Sequence, residues 1–299
     1  MRQRFIQSFS TSGTEQTAID ENMLGKPYVA YIEDGQYIDW NTKGIDYANT
    51  PLTFEIISGG TVNWLSSSPN KSKTIEYQIN DGSWNMITST FVADETSTIS
   101  VNDGDIVRFR GDNTTYSENQ VFSHFGGSAF YNAMGNIMSL VQKDGFTSAS
   151  TFGNEAFLGL FQRSEIIDAS NLILPVLALT SKCYYAMFSD CHKLSKAPAL
   201  PATTLAELCY SDMFRETNLE KAPELPALSL VNGCYGAMFY RARGLSYVKC
   251  LAENVPAGTL NNWLKTVSST GTFVKHPNAT WPSGESGIPT GWTVIDADI

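Results

Sequence analysis

One six-residue pattern returns along this chain at nearly equal steps, and it constrains the fold more than any other feature. Its clearest copies read Cys-Tyr-x-x-Met-Phe at 183–188, 209–214 and 234–239, and weaker copies begin at Phe130 and Ala156. The sixth positions of the five copies are separated by 26, 27, 26 and 25 residues; they are Gly135, Phe161, Phe188, Phe214 and Phe239. Self-similarity at this period predicts a solenoid of stacked units.

Spacing within one copy predicts the shape of the unit. The first and fifth residues are four apart, which places them on one face of a short helix. A segment Ala-Pro-x-Leu-Pro follows at 197–201 and 222–226. Proline removes a backbone donor and forces its predecessor to be extended, so this segment is predicted to be a short strand or turn. Such a unit buries its apolar side only by stacking on its neighbours.

Three different patterns precede the repeats. Residues 1–26 are polar and predict a flexible arm that becomes ordered against a partner, with a loose tail as the alternative. Tyr28–Trp40 surrounds Asp34-Gly35 and predicts a β-hairpin. Residues 51–117 predict a small immunoglobulin-like β-sandwich, because short alternating runs are separated by regular turn signals. The predicted strands are Leu52–Ile57, Thr61–Leu65, Thr74–Ile79, Trp84–Thr88, Thr98–Val101 and Asp105–Arg110.

After the last copy, apolar residues at helical spacing predict one amphipathic helix over Gly258–Val267 that caps the open end of the solenoid. Trp281 and Trp292 are expected to pack against this cap. The predicted fold class is therefore multidomain α+β. Its domains are an arm and hairpin at 1–50, a sandwich at 51–118, a solenoid at 119–252 and a cap at 253–299.

Several motifs together resemble one protein family. They are Phe-Tyr-Asn-Ala-Met-Gly-Asn-Ile-Met-Ser-Leu at 130–140, the repeated Cys-Tyr-x-x-Met-Phe and Ala-Pro-x-Leu-Pro, Thr-Gly-Thr-Phe-Val-Lys at 270–275 and Gly-Ile-Pro-Thr-Gly-Trp-Thr-Val at 287–294. Over about 51–296 the chain resembles the BspA-like leucine-rich-repeat proteins, which occur on gut Bacteroidetes and in their phages. The phrase at 26–34 is similar to openings of virion proteins of gut phages. The resemblance implies a scaffold for adhesion and display, with no shared catalytic residues.

Charge and hydropathy exclude two classes of partner. The chain has 20 basic and 30 acidic residues, a net charge of −10, so nucleic acid or an anionic membrane would be approached against the overall field. No apolar run is long enough to span a membrane, and the first residues lack the apolar stretch of a signal peptide. We therefore expect no nucleic-acid binding, no membrane insertion and no secretory export.

Residues with chemical potential are scattered. Five cysteines, at 183, 191, 209, 234 and 250, are interpreted as small buried thiols, since neither Cys-x-x-Cys nor paired histidines accompany them. His124, among Phe122, Phe125 and glycines, is interpreted as a hydrogen-bonded filler. Trp64 and Trp84 are interpreted as core, with a sugar-stacking platform as the alternative.

Two further alternatives concern acidic residues. Asp190, Glu220 and Glu224 would have to converge in space to act as glycosidase carboxylates, and a solvated surface explains them more simply. Asn102-Asp-Gly-Asp105 lacks the length and final glutamate of a calcium-binding loop, and a hairpin turn is the simpler explanation. No catalytic, cofactor-binding or metal-binding residue is predicted.

These observations favour a non-enzymatic structural protein of a phage virion, assembled in the host cytoplasm. Residues 1–45 would attach it to a capsid, portal or tail protein as a head fibre or tail appendage, as a homo-oligomer. The repeat domain would adhere to a glycan or protein of the host surface, with Tyr185, Tyr210 and Tyr240 as candidate contacts. A bacterial cell-surface adhesin of the same family is the alternative, and a depolymerase is a third class.

Overall fold

The computed structural model describes residues 30–33, 36–39 and 45–299. Regular structure in these residues consists of β-strands and three short 3-10 helices, at Tyr47–Asn49, Ile137–Leu140 and Phe146–Ser148, with no α-helix among them. The predicted α+β class is therefore wrong, since the described chain is built from strands and turns. The contacts divide it into two units, 1–46 and 47–299.

The described residues of the first unit form one pair of strands. β1 (Ala30–Glu33) and β2 (Gln36–Asp39) pair antiparallel, with Ala30 opposite Asp39 and Glu33 opposite Gln36. This pair lies where the sequence predicts a hairpin. The predicted arm at 1–26 lies outside the described residues.

The second unit begins with two sheets. Their strands are β3 (Leu52–Ser58), β4 (Gly60–Ser66), β5 (Thr74–Ile79), β6 (Asn85–Thr88), β7 (Thr98–Val101), β8 (Ile106–Arg110), β9 (Ser117–Glu118), β10 (Val121–Gly127), β11 (Phe130–Asn136) and β12 (Ile166–Ile173). One sheet has the order β7-β4-β10-β9, and the other has the order β12-β11-β3-β8-β5-β6. The six strands predicted between residues 52 and 110 are confirmed to within one residue at each end.

Aromatic side chains from both sheets form the core between them. Phe54 of β3 lies 4.9 Å from Phe125 of β10, and Trp64 of β4 lies 4.8 Å from the same ring, measured between ring centroids. All three side chains are fully buried. Trp64 is therefore a core residue as predicted. Trp84 is only half-buried, and its ring lies under the Arg110 guanidinium at 4.1 Å.

The first copy of the repeat is a strand and not a helical turn. β11 pairs antiparallel with β3 and parallel with β12. Its side chains alternate, with Tyr131 and Ala133 buried, which is the period of a strand. β10 and β11 both follow residue 118 and are interior strands of the two sheets. The predicted domain boundary at 118 therefore cuts through both sheets. The first copy of the repeat, β11, is itself a strand of one of them.

The other four copies, and the chain at 258–267, form chains of tight turns, which we call turn segments: 155–164, 182–191, 208–217, 233–242 and 258–267. Every fourth residue has a positive φ, as at Lys182, Ala186 and Asp190 with 53°, 52° and 61°. Left-handed backbone at this spacing reverses the chain repeatedly and excludes an α-helix. The predicted helix in each copy is therefore wrong, although the residue spacing that suggested it is real.

Backbone hydrogen bonds hold each turn segment in two ways. In 182–191 one set of alternate amides closes turns onto carbonyls three residues back, as Met187 does onto Tyr184. The other set reaches the next segment; Tyr184, Ala186, Phe188 and Asp190 donate to the carbonyls of Cys209, Ser211, Met213 and Arg215 at 2.8–3.0 Å. Consecutive segments are thereby fixed in register, 25 to 27 residues apart.

Register places equivalent side chains on top of one another. Phe188 lies 5.2 Å from Phe161 and 5.5 Å from Phe214, and the rings are nearly parallel. The column begins in the core between the sheets, where Phe125 stacks on Phe161 at 5.7 Å. It continues through Phe239 to Trp263. One aromatic column therefore connects the two sheets to the stacked segments.

The predicted capping helix at 258–267 is instead one more copy of the repeat. Tyr235 donates to the carbonyl of Thr259 and Phe239 to that of Trp263, the positions that a further copy would occupy. Trp281 stacks on Trp263 at 5.6 Å and Trp292 is buried, so the following chain covers the last segment. Beside the turns, the strands β13 (Tyr247–Cys250), β14 (Thr272–Lys275) and β15 (Thr293–Asp296) form a parallel sheet.

Removing one ring from the middle of the column tests how much the stack depends on it. We expect Phe188→Ala to lower the free energy of unfolding by about 3–5 kcal/mol, because it deletes a fully buried ring and leaves a cavity between two others. Guanidinium unfolding of the purified chain measures this. Leu177→Ala is the matched control, since Leu177 is 56% exposed and its loss should cost less than about 0.5 kcal/mol. Equal losses for the two variants would contradict the stacked core.

Candidate adhesion surface

Charged and aromatic side chains lie on the outside of the turn segments, on a surface that we call the turn face. It comprises Arg163, Tyr185, Asp190, Asp212, Arg215, Glu216, Tyr240 and Arg241, all at least partly exposed. Ion pairs connect neighbouring segments across it. Arg241 lies 3.0 Å from Glu216, and Arg163 lies 3.8 Å from Asp190. Exposed pairs of this kind contribute roughly 0–1 kcal/mol each, so they shape the surface more than they stabilise it.

The three tyrosines predicted as contacts differ in exposure. Tyr185 is half-buried on the turn face, where burial and the nearby Asp212 carboxylate raise the pKa of its hydroxyl. Tyr240 is partly exposed and has the guanidinium groups of Arg215 and Arg241 over its ring, at 5.2 and 5.0 Å.

Tyr210 is fully buried and stacks between Tyr184 and Tyr235, at 5.7 and 6.1 Å. Its prediction as a surface contact is therefore wrong. The sequence contained the signal, because Tyr210 occupies the same repeat position as the other two tyrosines of this inner column.

A cleft of about 560 Å³, which we call the polar cleft, opens at one end of the turn face. It is lined by Arg163, Ser164, Glu165, Asp190, His192 and Lys193. These residues come from the same part of two consecutive copies, just after the six-residue pattern. Register between the two turn segments is what brings them together, and the sequence analysis singled out only Asp190 among them.

One lining residue of the polar cleft, Ser164, adjoins a second buried hydroxyl that does not itself line the cleft. Ser164 is buried, and its hydroxyl oxygen lies 3.7 Å from the Cys191 sulfur. Ser164 also adjoins the hydroxyl of Tyr131, which is buried and has no hydrogen-bond partner of normal geometry among the described residues. Burial raises the pKa of Tyr131 well above its usual value, so this hydroxyl stays protonated. An unsatisfied buried hydroxyl of this kind is uncommon in a folded protein.

The walls of the polar cleft carry charges of both signs. The Arg163 side chain is 79% exposed and only loosely paired with Asp190. The Lys193 ammonium lies 5.8 Å from the centre of the Phe130 ring, and the His192 ring nitrogen Nδ1 lies 2.9 Å from the Glu216 carbonyl oxygen. Glu165 is partly exposed. The cleft therefore offers hydrogen-bond donors and acceptors in similar number.

His124 lies on β10 opposite Leu65 and is mostly buried. Burial, together with the positive charge of Arg163, lowers its pKa to about 4, so the ring is neutral at physiological pH. Its Nδ1 atom has no hydrogen-bond partner among the described residues, in contrast to the prediction of a hydrogen-bonded filler.

The three carboxylates considered for glycoside hydrolysis are placed on different parts of the stack. Asp190 lines the polar cleft, whereas Glu224 lies along a groove of the extended segments and pairs with Lys249 at 3.0 Å. Glu220 is exposed on the same extended segment as Glu224. The structure therefore does not bring Asp190 and Glu224 into one cleft.

The Asn102–Asp105 turn is held by its own side chains. The Asp105 carboxylate accepts a hydrogen bond from the Asn102 amide at 2.8 Å, and this bond, together with one from Asn80, lowers its pKa. The turn joins β7 to β8, which belong to different sheets, so the predicted hairpin is wrong here. In the described part of the chain no group of three or more His, Cys, Asp or Glu side chains is placed to hold a metal ion.

All five cysteines are buried and unpaired, and Cys183, Cys209 and Cys234 follow one another in the stack. Burial raises the pKa of Cys183, Cys191 and Cys250 to about 12. Thiols in this state are poor nucleophiles, since the thiolate is the reactive form. They fill space, as predicted from their alternation with Ala156.

Comparison with known proteins adds no assignment. No family model matches the chain, and no curated protein or solved structure matches it either. None of the helices in the described residues has the length and apolar character needed to cross a membrane.

The free energy of unfolding at alkaline pH should depend on the raised pKa of the buried thiols. Because folding raises their pKa from 9.0 to about 12, the folded state holds these protons more tightly than the unfolded state. The stability they contribute is complete below pH 9 and is lost as the pH rises toward 12. We expect Cys183→Ala to make the decline in unfolding free energy between pH 9 and 10.5 shallower by about 1 kcal/mol per pH unit.

Guanidinium unfolding under reducing conditions at several pH values measures that slope. Met187→Leu is the control, because it alters a neighbouring buried side chain that does not ionise, and its slope should equal that of the unmodified chain. A Cys183→Ala slope identical to both would show that this thiol ionises as freely in the folded chain as in the unfolded one.

Proposed function

We propose that this chain is a non-enzymatic structural protein of a phage virion, a head or tail appendage that displays its repeats for adhesion to the host surface. The observation that carries the adhesive role is the contrast between the inside and outside of the stack. Inner positions repeat the same aromatic and thiol side chains, whereas the turn face and polar cleft carry different charged groups in each copy. A scaffold with a constant interior and a variable surface is suited to binding.

Two further observations support the assembly setting. The five cysteines form no disulfide, which is typical of proteins that fold in a reducing compartment such as the host cytoplasm. The repeats resemble those of BspA-like proteins, a family that includes members carried by phages of gut bacteria. Attachment to a capsid, portal or tail protein is assigned to residues 1–45, and assembly as a homo-oligomer belongs to the same proposal.

Composition of purified particles tests this proposal. We expect quantitative mass spectrometry of gradient-purified phage to find the chain in fixed copy number, and deletion of residues 1–45 to reduce its incorporation at least tenfold. Tyr240→Ala is the control, since it changes only the turn face and should be incorporated normally. Truncated protein at normal copy number would contradict attachment through 1–45. Absence from particles together with presence on uninfected bacterial cells would replace the virion with a bacterial adhesin.

A further inference from the structure

We infer that the polar cleft binds one neutral sugar residue of a host surface glycan. The inference rests on the adhesive function proposed above and adds the place and the chemistry of the contact. Sugar hydroxyls both donate and accept hydrogen bonds, so they match a cleft whose walls carry Arg163 and Lys193 as donors and Asp190 and Glu165 as acceptors.

Charge in the cleft favours a neutral sugar over an acidic one. The two carboxylates of the lining, Asp190 and Glu165, balance its two cations, Arg163 and Lys193, so the cleft has no net positive charge to attract a sialic or uronic acid. Arg163 is already beside Asp190 at 3.8 Å. The whole chain carries a net charge of −10, which adds to the repulsion of an acidic glycan.

The long Arg163–Asp190 distance also leaves both groups available. A guanidinium and a carboxylate in a tight bidentate pair would approach to about 2.7–2.9 Å. At 3.8 Å the pair is loose enough that neighbouring hydroxyls of one sugar can bind to both groups, one accepting from Arg163 and the other donating to Asp190. The loosely paired Arg163 and Asp190 on the exposed wall of the cleft are therefore suited to binding two neighbouring hydroxyls of one sugar.

The lining residue Ser164 supplies the independent sign of a ligand, because it adjoins a buried hydroxyl that has no normal hydrogen bond. The Tyr131 hydroxyl is buried without a normal hydrogen bond, and the hydroxyl of Ser164 lies beside it and 3.7 Å from the Cys191 sulfur. Leaving a buried polar group unpaired costs about 1–3 kcal/mol. A sugar hydroxyl that accepts from Ser164 orients the Ser164 oxygen to accept in turn from Tyr131, so binding completes the network.

Glycan binding by the purified full-length chain tests this assignment. The probes are a printed array of neutral hexose and N-acetylhexosamine oligosaccharides beside sialylated and uronic-acid ones, followed by calorimetry with the best neutral oligosaccharide. We expect neutral glycans alone to bind, and Asp190→Asn and Ser164→Ala each to weaken binding at least tenfold. Glu224→Gln, which removes a comparable exposed carboxylate outside the cleft, is the matched control and should bind normally.

Tyr131→Phe separates a binding role from a structural one. Because it deletes only the unpaired hydroxyl, we expect the melting temperature to stay equal or rise while affinity for the neutral glycan falls severalfold. A lower melting temperature with unchanged affinity would show a purely structural hydroxyl and overturn the inference. So would binding to acidic glycans only, binding that the cleft variants leave intact, or no glycan binding at all. Those results leave the virion assignment standing, because particle composition tests it separately.

Discussion

The structure depends on how the backbone amides of the turn segments are paired in hydrogen bonds. A backbone donor buried without a partner is costly, so every one of them must be paired. Within 182–191 alternate amides close local turns, and the others bind the next segment. Neither set suffices alone: the first would leave isolated turns, and the second would leave a strand without reversals. Together they fix both the shape of each segment and its register on the next.

The register between segments determines which residue types fit at each repeat position. A residue at a given repeat position contacts the equivalent residues of the copies before and after it. In the phenylalanine column the ring centroids are 5.2–5.7 Å apart. Flat rings fill that spacing by stacking. Small thiols at the first position fill the narrower places beside them, where Ala156 serves equally well. The same constraint explains how the stack is closed, since Phe125 of the sheets and Trp281 of the tail each provide one more ring.

The sequence predicted the period and the inward-facing cysteines, methionines and phenylalanines correctly, but it placed Tyr210 on the surface and assigned the wrong local structure. Cysteine and methionine four residues apart lie on one face of a helix, and they also lie on one side of a chain of four-residue turns. Spacing alone cannot distinguish the two. The discriminating feature is the positive φ at Lys182, Ala186 and Asp190, and lysine and alanine are residue types that give no warning of it. Phe130–Asn136 shows the converse error, because a copy of the same pattern adopts strand alternation when it pairs with β3 and β12.

The site was less predictable than the fold, for a physical reason. Stacking selects similar residues at inner positions, so the repeated residues indicate the core. Binding needs residues that differ between copies, and such residues cannot be distinguished in the sequence from ordinary variation at the surface. The eighth position holds Arg163, Asp190, Glu216 and Arg241 in successive copies, and only the first two line the polar cleft. Their proximity follows from the step of 27 residues between those two copies, which the repeat already contained. Outward positions where neighbouring copies differ in charge therefore indicate two pairs in the sequence, Arg163 with Asp190 and Glu216 with Arg241, of which only the first lines the cleft.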